Sequence, residues 1–138
     1  MDGKVIWKSG MSFTGLSGSG FSVPLDTTSK NGGADSGPSP MELVLLGLGG
    51  CTAMDVISIL KKKRQEVTSF EILLHADRSA EHPRVFTNIA LEFVVTGHDV
   101  DEEAVKRAVE LSETKYCSVS AMLSKSVAIF TKVTVKEG

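Results

Sequence analysis

The sequence predicts an α+β fold in which an antiparallel β-sheet lies against one long central helix. Three observations predict it. Residues 40–64 form a long apolar run, punctuated by glycines and closed by a cluster of cations. Three later segments, near residues 70–74, 89–95 and 127–135, alternate apolar and polar residues, as strands with one buried face do. An amphipathic stretch at 101–116 separates the last two, and no β-α-β repeat is present.

The size and charge of the chain exclude several classes of protein. At 138 residues it is long enough to bury a core in one domain without disulfides. A formal net charge of −2 gives no electrostatic reason to expect nucleic acid or an anionic membrane as partner. The first ten residues contain no apolar stretch of a secretory signal, and there are only two cysteines. We therefore expect a cytoplasmic protein with reduced thiols.

The N-terminal part is expected to consist of short strands followed by a loop. Residues 1–25 read as strands joined by glycine and serine turns. Residues 26–39 are rich in Gly, Ser, Asn and Asp, and a loop of that length is often functional or mobile.

The central helix is predicted over residues 40–64. Ser39 suits its N-cap, Pro40 suits its first turn, and the cations of 61–64 suit its negative C-terminal end. Within it, residues 43–60 carry one charge, Asp55, and so approach the composition of a membrane span. We interpret the run as a buried central helix instead, because it contains three glycines and because the strands need a core to cover.

Residues 65–138 are predicted to form the sheet and the C-terminal helices. Either Asp99 or Asp101 caps a second helix that runs to about Tyr116, and a third, short helix covers 118–125. The alternating apolar residues of the strands are Phe70, Ile72 and Leu74, then Ile89, Leu91, Phe93 and Val95, then Val127, Ile129, Val133 and Val135.

The first cysteine, Cys51, lies inside the central helix. It is either a packed core residue or a reactive thiol, since a lone helical cysteine is more often packed. The adjacent Gly49 and Gly50 cost helix stability and indicate a close backbone approach. Asp55, one turn further on, opposes thiolate formation at Cys51 unless it positions a donor or a cation.

The second cysteine, Cys117, precedes the short third helix. Free N–H groups at that helix start favour a thiolate and a lowered pKa, and Lys115 adds positive charge nearby; the alternative is an ordinary junction between helices. The two cysteines are 66 positions apart, and the three histidines show no metal-ligand spacing. We therefore predict no metal site.

Taken together, these residues resemble the OsmC/Ohr family of thiol-dependent hydroperoxide reductases. The matching elements cover nearly the whole chain, and the Gly-Leu-Gly-Gly-Cys-Thr string with a following Asp-Val is most similar to the YhfA-like branch. The matching elements are the Pro-x-Glu helix start at 40–42, Gly-Gly-Cys at 49–51, LKKKRQEV at 60–67 and KYCSVS at 115–120.

The resemblance implies a single OsmC-like domain over residues 1–138 and an intertwined homodimer wrapped around the central helices. It implies an enzyme that reduces organic or small hydroperoxides, with Cys51 as the peroxidatic nucleophile and Cys117 as the resolving thiol. It requires no bound cofactor, only an external dithiol reductant. Asp55, Glu42 and Lys115 are the supporting candidates.

The chain departs from the family pattern in two places. Family members hold the nucleophile with an arginine from the N-terminal strands, but the first arginine here is Arg64. Their glutamate follows the helix proline directly, whereas Met41 stands there and Glu42 comes one later. Two alternatives therefore stay open: a redox-sensing or small-molecule-binding protein without turnover, or a pair of structural cysteines.

Overall fold

The computed structural model describes all residues, 1–138, and they form two compact units, Met1–Val44 and Leu45–Gly138. The boundary between the units falls within the long helix, which belongs to both. The expectation of one domain over residues 1–138 stays a prediction.

The first unit contains a three-stranded antiparallel sheet, in the order β1-β2-β3. A left-handed Gly10, with φ of 53°, makes the tight turn between the first two strands. The apolar side chains of the first strand remain exposed. The strands are β1 (Gly3–Ser9), β2 (Ser12–Ser17) and β3 (Ser22–Leu25).

The loop over residues 26–39 is ordered around one carboxylate. Asp26 is only 3% exposed, and it is the one residue of the first unit that is buried. Its Oδ2 accepts four hydrogen bonds and its Oδ1 accepts one, so both oxygens are satisfied. The donors are the hydroxyls of Ser12 and Ser36 and the backbone N–H groups of Thr27, Ala34 and Ser36.

The long helix, α1 (Pro40–Lys62), starts at the predicted cap. The Glu42 N–H donates to Ser39 Oγ at 3.2 Å, and the Ser39 N–H donates to Glu42 Oε1 at 3.1 Å, which makes a capping box. The helix ends two residues before the predicted end. Arg64 is left-handed, with φ of 55°, and the Gln65 N–H donates back to the Leu60 carbonyl at 3.0 Å, closing the C-terminus.

The second unit contains the other three strands and the two shorter helices. The second helix is joined to the third by a five-residue π-helical turn. In chain order the elements are β4 (Glu66–Arg78), β5 (Phe86–His98), α2 (Glu102–Leu111), the π-helical turn (Ser112–Tyr116), α3 (Ser118–Leu123) and β6 (Ala128–Glu137).

The sheet of the second unit is mixed, so the expectation of an antiparallel sheet is wrong for one pair of strands. β4 and β5 are antiparallel, but β5 and β6 are parallel, with Phe93 opposite Val133. The reason is the connection, since a chain that crosses over through helices returns to the sheet in the original direction. β5 is the central strand, and its residues Ile89, Leu91, Phe93 and Val95 form the centre of the core.

Within the second unit, α1 packs closely against the sheet. Leu48, Thr52, Val56 and Leu60, four residues apart, are fully buried. A Cβ added to Gly49 would lie 2.9 Å from Leu74 Cδ1 on β4, whereas one added to Gly50 would meet nothing within 4 Å. The close approach indicated by the paired glycines therefore occurs at Gly49 alone, and toward a side chain rather than a backbone.

The second and third helices begin where the sequence indicates and end earlier. Asp101 is the N-cap of α2 and accepts a hydrogen bond from the Glu103 N–H at 3.1 Å. The helix expected to continue to Tyr116 changes at Ser112 into the π-helical turn. α3 stops at Leu123, two residues short of the expected end.

Candidate functional site

The two cysteines, 66 positions apart in sequence, lie side by side in the second unit. Both are free thiols; Cys51 is partly exposed and Cys117 is 3% exposed. Cys51 is close enough to Cys117 to raise the pKa of that thiol. This juxtaposition is what a thiol–disulfide couple requires.

The π-helical turn delivers Cys117 to this position. The Cys117 N–H donates to the Ser112 carbonyl at 2.8 Å, the wide i to i+5 bond that defines the turn. Cys117 then acts as the N-cap of α3, and its sulfur accepts a hydrogen bond from the Ser120 N–H at 3.3 Å. Such π-helical insertions occur frequently at functional sites.

The environment of Cys117 favours the neutral thiol. Burial is the main cause and raises the pKa of Cys117 to about 11, with the neighbouring Cys51 and the charge of Glu113 adding to it. The Ser120 N–H lowers the pKa but does not compensate. The expectation of a lowered pKa at Cys117 is therefore wrong, because one N–H at the start of a six-residue helix is outweighed by desolvation.

Glu113 is a site residue that the sequence reasoning did not identify. Its Oε2 accepts a hydrogen bond from the Ser120 hydroxyl at 2.8 Å, while its Oε1 is buried without any partner. Ser120 thus contacts both the carboxylate and the sulfur of Cys117. A glutamate four residues before the cysteine was the signal available in the sequence.

A second polar chain connects α1 with the π-helical turn. Ser112 donates to Asp55 Oδ2 at 2.9 Å, and its oxygen is 2.7 Å from Thr52 Oγ1. Since an ionised carboxylate only accepts, the single hydroxyl hydrogen of Ser112 is committed to Asp55. Thr52 must therefore donate to Ser112. Thr52 and Ser112 were also not singled out from the sequence.

The three predicted supporting residues lie in different surroundings. Asp55 is part of the site, through its hydrogen bond with Ser112. The Lys115 ammonium lies 5.3 Å from the centre of the Tyr116 ring, on an exposed surface. Glu42 is engaged in the capping box, where the Ser39 N–H holds its pKa below the usual value. No cation is among the groups that shift the pKa of Cys117.

Metal-binding chemistry has no ligand set in this structure. No group of three or more His, Cys, Asp or Glu side chains is arranged to hold a metal ion. The chemistry available at the site is that of the two thiols, with the hydroxyls and carboxylates around them.

A protein-family model described as OsmC-like protein matches residues 32–132. The chain belongs to the OsmC-like family. It is 50% identical over 129 residues to Protein YhfA of Escherichia coli K12, covering 94% of this chain and 93% of that protein. The crystal structure of a hypothetical protein from Aquifex aeolicus VF5 is 34% identical, with a TM-score of 0.87 and coverage of 99% and 96%.

More distant OsmC-like structures share the fold alone. The organic hydroperoxide resistance protein OhrB of Bacillus subtilis is 19% identical, with a TM-score of 0.63 and coverage of 96% of this chain and 98% of its own. The predicted α+β OsmC-like fold with its long central helix is thereby confirmed.

Family membership also resolves the nature of α1. Its 23 residues reach a mean hydropathy of 2.0, so by length and composition alone the helix could cross a membrane. In this OsmC-like chain, Leu48, Val56 and Leu60 of the helix are fully buried in the core of the second unit. The interpretation as a central core helix is therefore confirmed.

Proposed function

We propose that this OsmC-like protein is a thiol-dependent hydroperoxide reductase that acts through Cys51 and Cys117. The observation that carries the proposal is the proximity of the two thiols, since Cys51 is close enough to Cys117 to raise its pKa. The chain has only two cysteines, 66 positions apart, and the fold brings both to the same place in the second unit. Organic or small hydroperoxides are the proposed substrates.

The difference in exposure supports the assignment of roles. Cys51 is partly exposed and is the sulfur that a peroxide can reach. Cys117 is 3% exposed and its pKa is raised to about 11, so at neutral pH it is a protected thiol. We therefore assign Cys51 as peroxidatic and Cys117 as resolving, the roles that the family resemblance implies.

The reaction proceeds in two balanced steps. The Cys51 thiolate attacks one oxygen of the hydroperoxide, the O–O bond breaks, and the sulfur becomes a sulfenic acid. The remaining fragment leaves as an alkoxide and takes up one proton from water, which gives the alcohol. The Cys117 sulfur then attacks the Cys51 sulfur and forms a disulfide. The thiol proton and the sulfenic hydroxyl leave together as water.

An external dithiol completes the cycle. It reduces the 51–117 disulfide by thiol–disulfide exchange and is itself oxidised to a disulfide. A reducing cytoplasm supplies such dithiols, and we propose that location for the protein.

We also propose that the working form is a homodimer. In the first unit, Val5 and Trp7 on β1 are 66% and 64% exposed. In the second unit, Leu46 and Met54 on α1 are 56% and 74% exposed. Apolar surface on both units supports a partner, and a second copy of the chain is the partner that the family resemblance implies.

Titration with cumene hydroperoxide tests the proposal. We expect one equivalent to remove two hydrogens from each chain by mass spectrometry, with Cys51 and Cys117 linked. With excess dithiol, many equivalents should be consumed. Cys51→Ser should abolish turnover, and Cys117→Ser should accumulate a sulfenic acid at Cys51 that a 1,3-dicarbonyl reagent traps. Full turnover by Cys51→Ser would disprove the assignment.

The second candidate function is redox sensing or small-molecule binding without turnover. It is favoured by one observation, that the first arginine of the chain is Arg64, so no arginine from the N-terminal strands can activate Cys51. The same titration separates the two functions. A sensor consumes one equivalent in a single burst and then stops, whereas a reductase continues as long as dithiol is present.

A further inference from the structure

We propose that Thr52, Ser112 and Asp55 are positioning residues that hold Cys51 and Cys117 within disulfide-forming reach. We call these three side chains the hydroxyl clamp. The inference deepens the proposed function and takes its assignment of the two thiols as its starting point. These three hydrogen-bonding side chains determine how closely the two thiols are held, and so set the effective concentration of one thiol toward the other.

Ser112 connects to both cysteine-bearing segments at once. Its hydroxyl contacts α1, with Thr52 Oγ1 at 2.7 Å and Asp55 Oδ2 at 2.9 Å. Its carbonyl accepts the Cys117 N–H at 2.8 Å. Thr52 is the residue after Cys51. The shortest connection between the two thiols, apart from their own contact, therefore runs through one serine.

The surroundings make these hydrogen bonds strong. Thr52 and Ser112 are both fully buried, at 0% exposure, so water does not compete for their hydroxyls. The bond from Ser112 to Asp55 is charge-assisted, and the two bonds form a chain in which each polarises the next. The arrangement specifies one position of the π-helical turn relative to α1.

That position matters because disulfide geometry is narrow. The Cα atoms of a disulfide lie roughly 4.4–6.8 Å apart, and larger separations require backbone movement. The equilibrium constant for forming the disulfide rises with the effective concentration of one thiol toward the other, which falls when the two segments are held less firmly. Loss of the clamp is therefore expected to weaken the 51–117 disulfide without removing either thiol.

The test measures the equilibrium between the protein and glutathione. Oxidised glutathione takes two hydrogens from the cysteines, which gives the 51–117 disulfide and two molecules of reduced glutathione. Acid quenching, alkylation and mass spectrometry then give the equilibrium constant. We expect Thr52→Val, which keeps the shape and removes the hydroxyl, to lower this constant at least about tenfold. Thr52→Ser, which restores the hydroxyl, should return it to within about twofold of the parent.

A matched control removes the same kind of hydrogen bond elsewhere in the second unit. The Thr134 hydroxyl on β6 donates to Glu92 Oε2 at 2.6 Å, also a hydroxyl–carboxylate bond. Thr134→Val loses that bond but no contact with the clamp, so it should leave the glutathione constant unchanged. Circular dichroism and denaturant unfolding establish that each variant is folded when it is measured.

Three results would overturn the inference: a parent-like constant for Thr52→Val, an equal decrease for Thr134→Val, or no recovery with Thr52→Ser. Failure of the wild-type chain to form the disulfide would overturn it as well. No peroxide enters the measurement. A chain with a clamp-dependent disulfide but no peroxide turnover would therefore refute the proposed function while the inference about the clamp stands.

Discussion

Asp26 in the first unit and Glu113 in the second are carboxylates with opposite hydrogen-bonding conditions. Asp26 accepts five hydrogen bonds, and neither of its oxygens lacks a partner. Glu113 accepts one, from the Ser120 hydroxyl, and its second oxygen is buried without a partner. A buried polar atom without a partner is costly, so its presence needs an explanation.

The difference separates a structural cluster from the cluster at the candidate site. The donors around Asp26 all belong to its own loop or to β2, and no nucleophile lies among them. Around Glu113 the neighbours include a thiol, and the carboxylate charge acts on it. A fully satisfied network specifies one backbone conformation. The charge of Glu113, in contrast, raises the pKa of the neighbouring Cys117.

The largest expected effect is a loss of stability when the hydrogen bonds around Asp26 are disrupted. Donors around Asp26 lower its pKa well below the ordinary value, the Ser36 hydroxyl most of all. Asp26→Asn loses the charge and turns its amide group toward N–H donors, so we expect the folding equilibrium constant to fall by at least about tenfold at pH 7. Urea denaturation measures it, with exposed Asp2→Asn as the control.

The pH dependence of the same variant has a definite sign. A carboxyl with a depressed folded-state pKa stabilises the fold above its unfolded value, near 3.8, and this stabilisation is lost as the pH falls further. The gap between the wild-type chain and Asp26→Asn should therefore be constant above about pH 5 and shrink below pH 4. A gap no larger than that of Asp2→Asn at pH 7 would contradict the structural role of Asp26.

A smaller effect is expected at Glu113, whose charge acts on the pKa of Cys117. In a Cys51→Ser background, Glu113→Gln removes a negative charge near Cys117 while the side chain can still accept from Ser120. Because the charge raises the pKa of Cys117, its removal lowers that pKa, by roughly one unit or less. The pH profile of alkylation of Cys117 by iodoacetamide measures the shift.

The control for that measurement is Glu110→Gln in the same background. Glu110 is exposed and pairs with Arg107 at 3.0 Å, so its charge is screened by solvent. Its substitution should leave the alkylation profile unchanged. Equal shifts from Glu110→Gln and Glu113→Gln would show that net charge, rather than the position of Glu113, governs the thiol.

Much of the fold could be predicted from local sequence patterns. Period-two alternation located the three strands of the second unit, and Ser39 and Asp101 marked helix starts because their side chains cap N–H groups a few residues away. Alternation carries no information on strand direction, so the parallel pairing of β5 with β6 did not follow from it. The sequence also does not distinguish the π-helical turn from a continuation of α2, because Ser112–Tyr116 contains no glycine or proline that would end a helix.

The candidate site could be predicted only in part. The cysteines were identifiable because a sequence with two of them draws attention to both. Thr52 and Ser112 were not, because hydroxyl residues are common and the partners are 60 positions apart. The expected lowering of the pKa of Cys117 was wrong because burial raises it, and burial is a tertiary property that the sequence near the cysteine does not encode.

The smallest effect is expected at Glu42, the glutamate next to the position where the family resemblance expects one. Glu42 shares a capping box with Ser39, so its carboxylate is occupied by helix capping. Glu42→Gln keeps an acceptor for the Ser39 N–H and should leave both stability and peroxide turnover unchanged. Glu42→Ala removes the acceptor and should lower the folding equilibrium constant by roughly two- to fivefold, with turnover intact. Urea denaturation and a dithiol-coupled peroxide assay measure the two quantities.

A loss of turnover by Glu42→Gln at unchanged stability would contradict this prediction, because the carboxylate would then act in the reaction. The contrast between Asp26 and Glu113 would in that case no longer follow from hydrogen bonding alone.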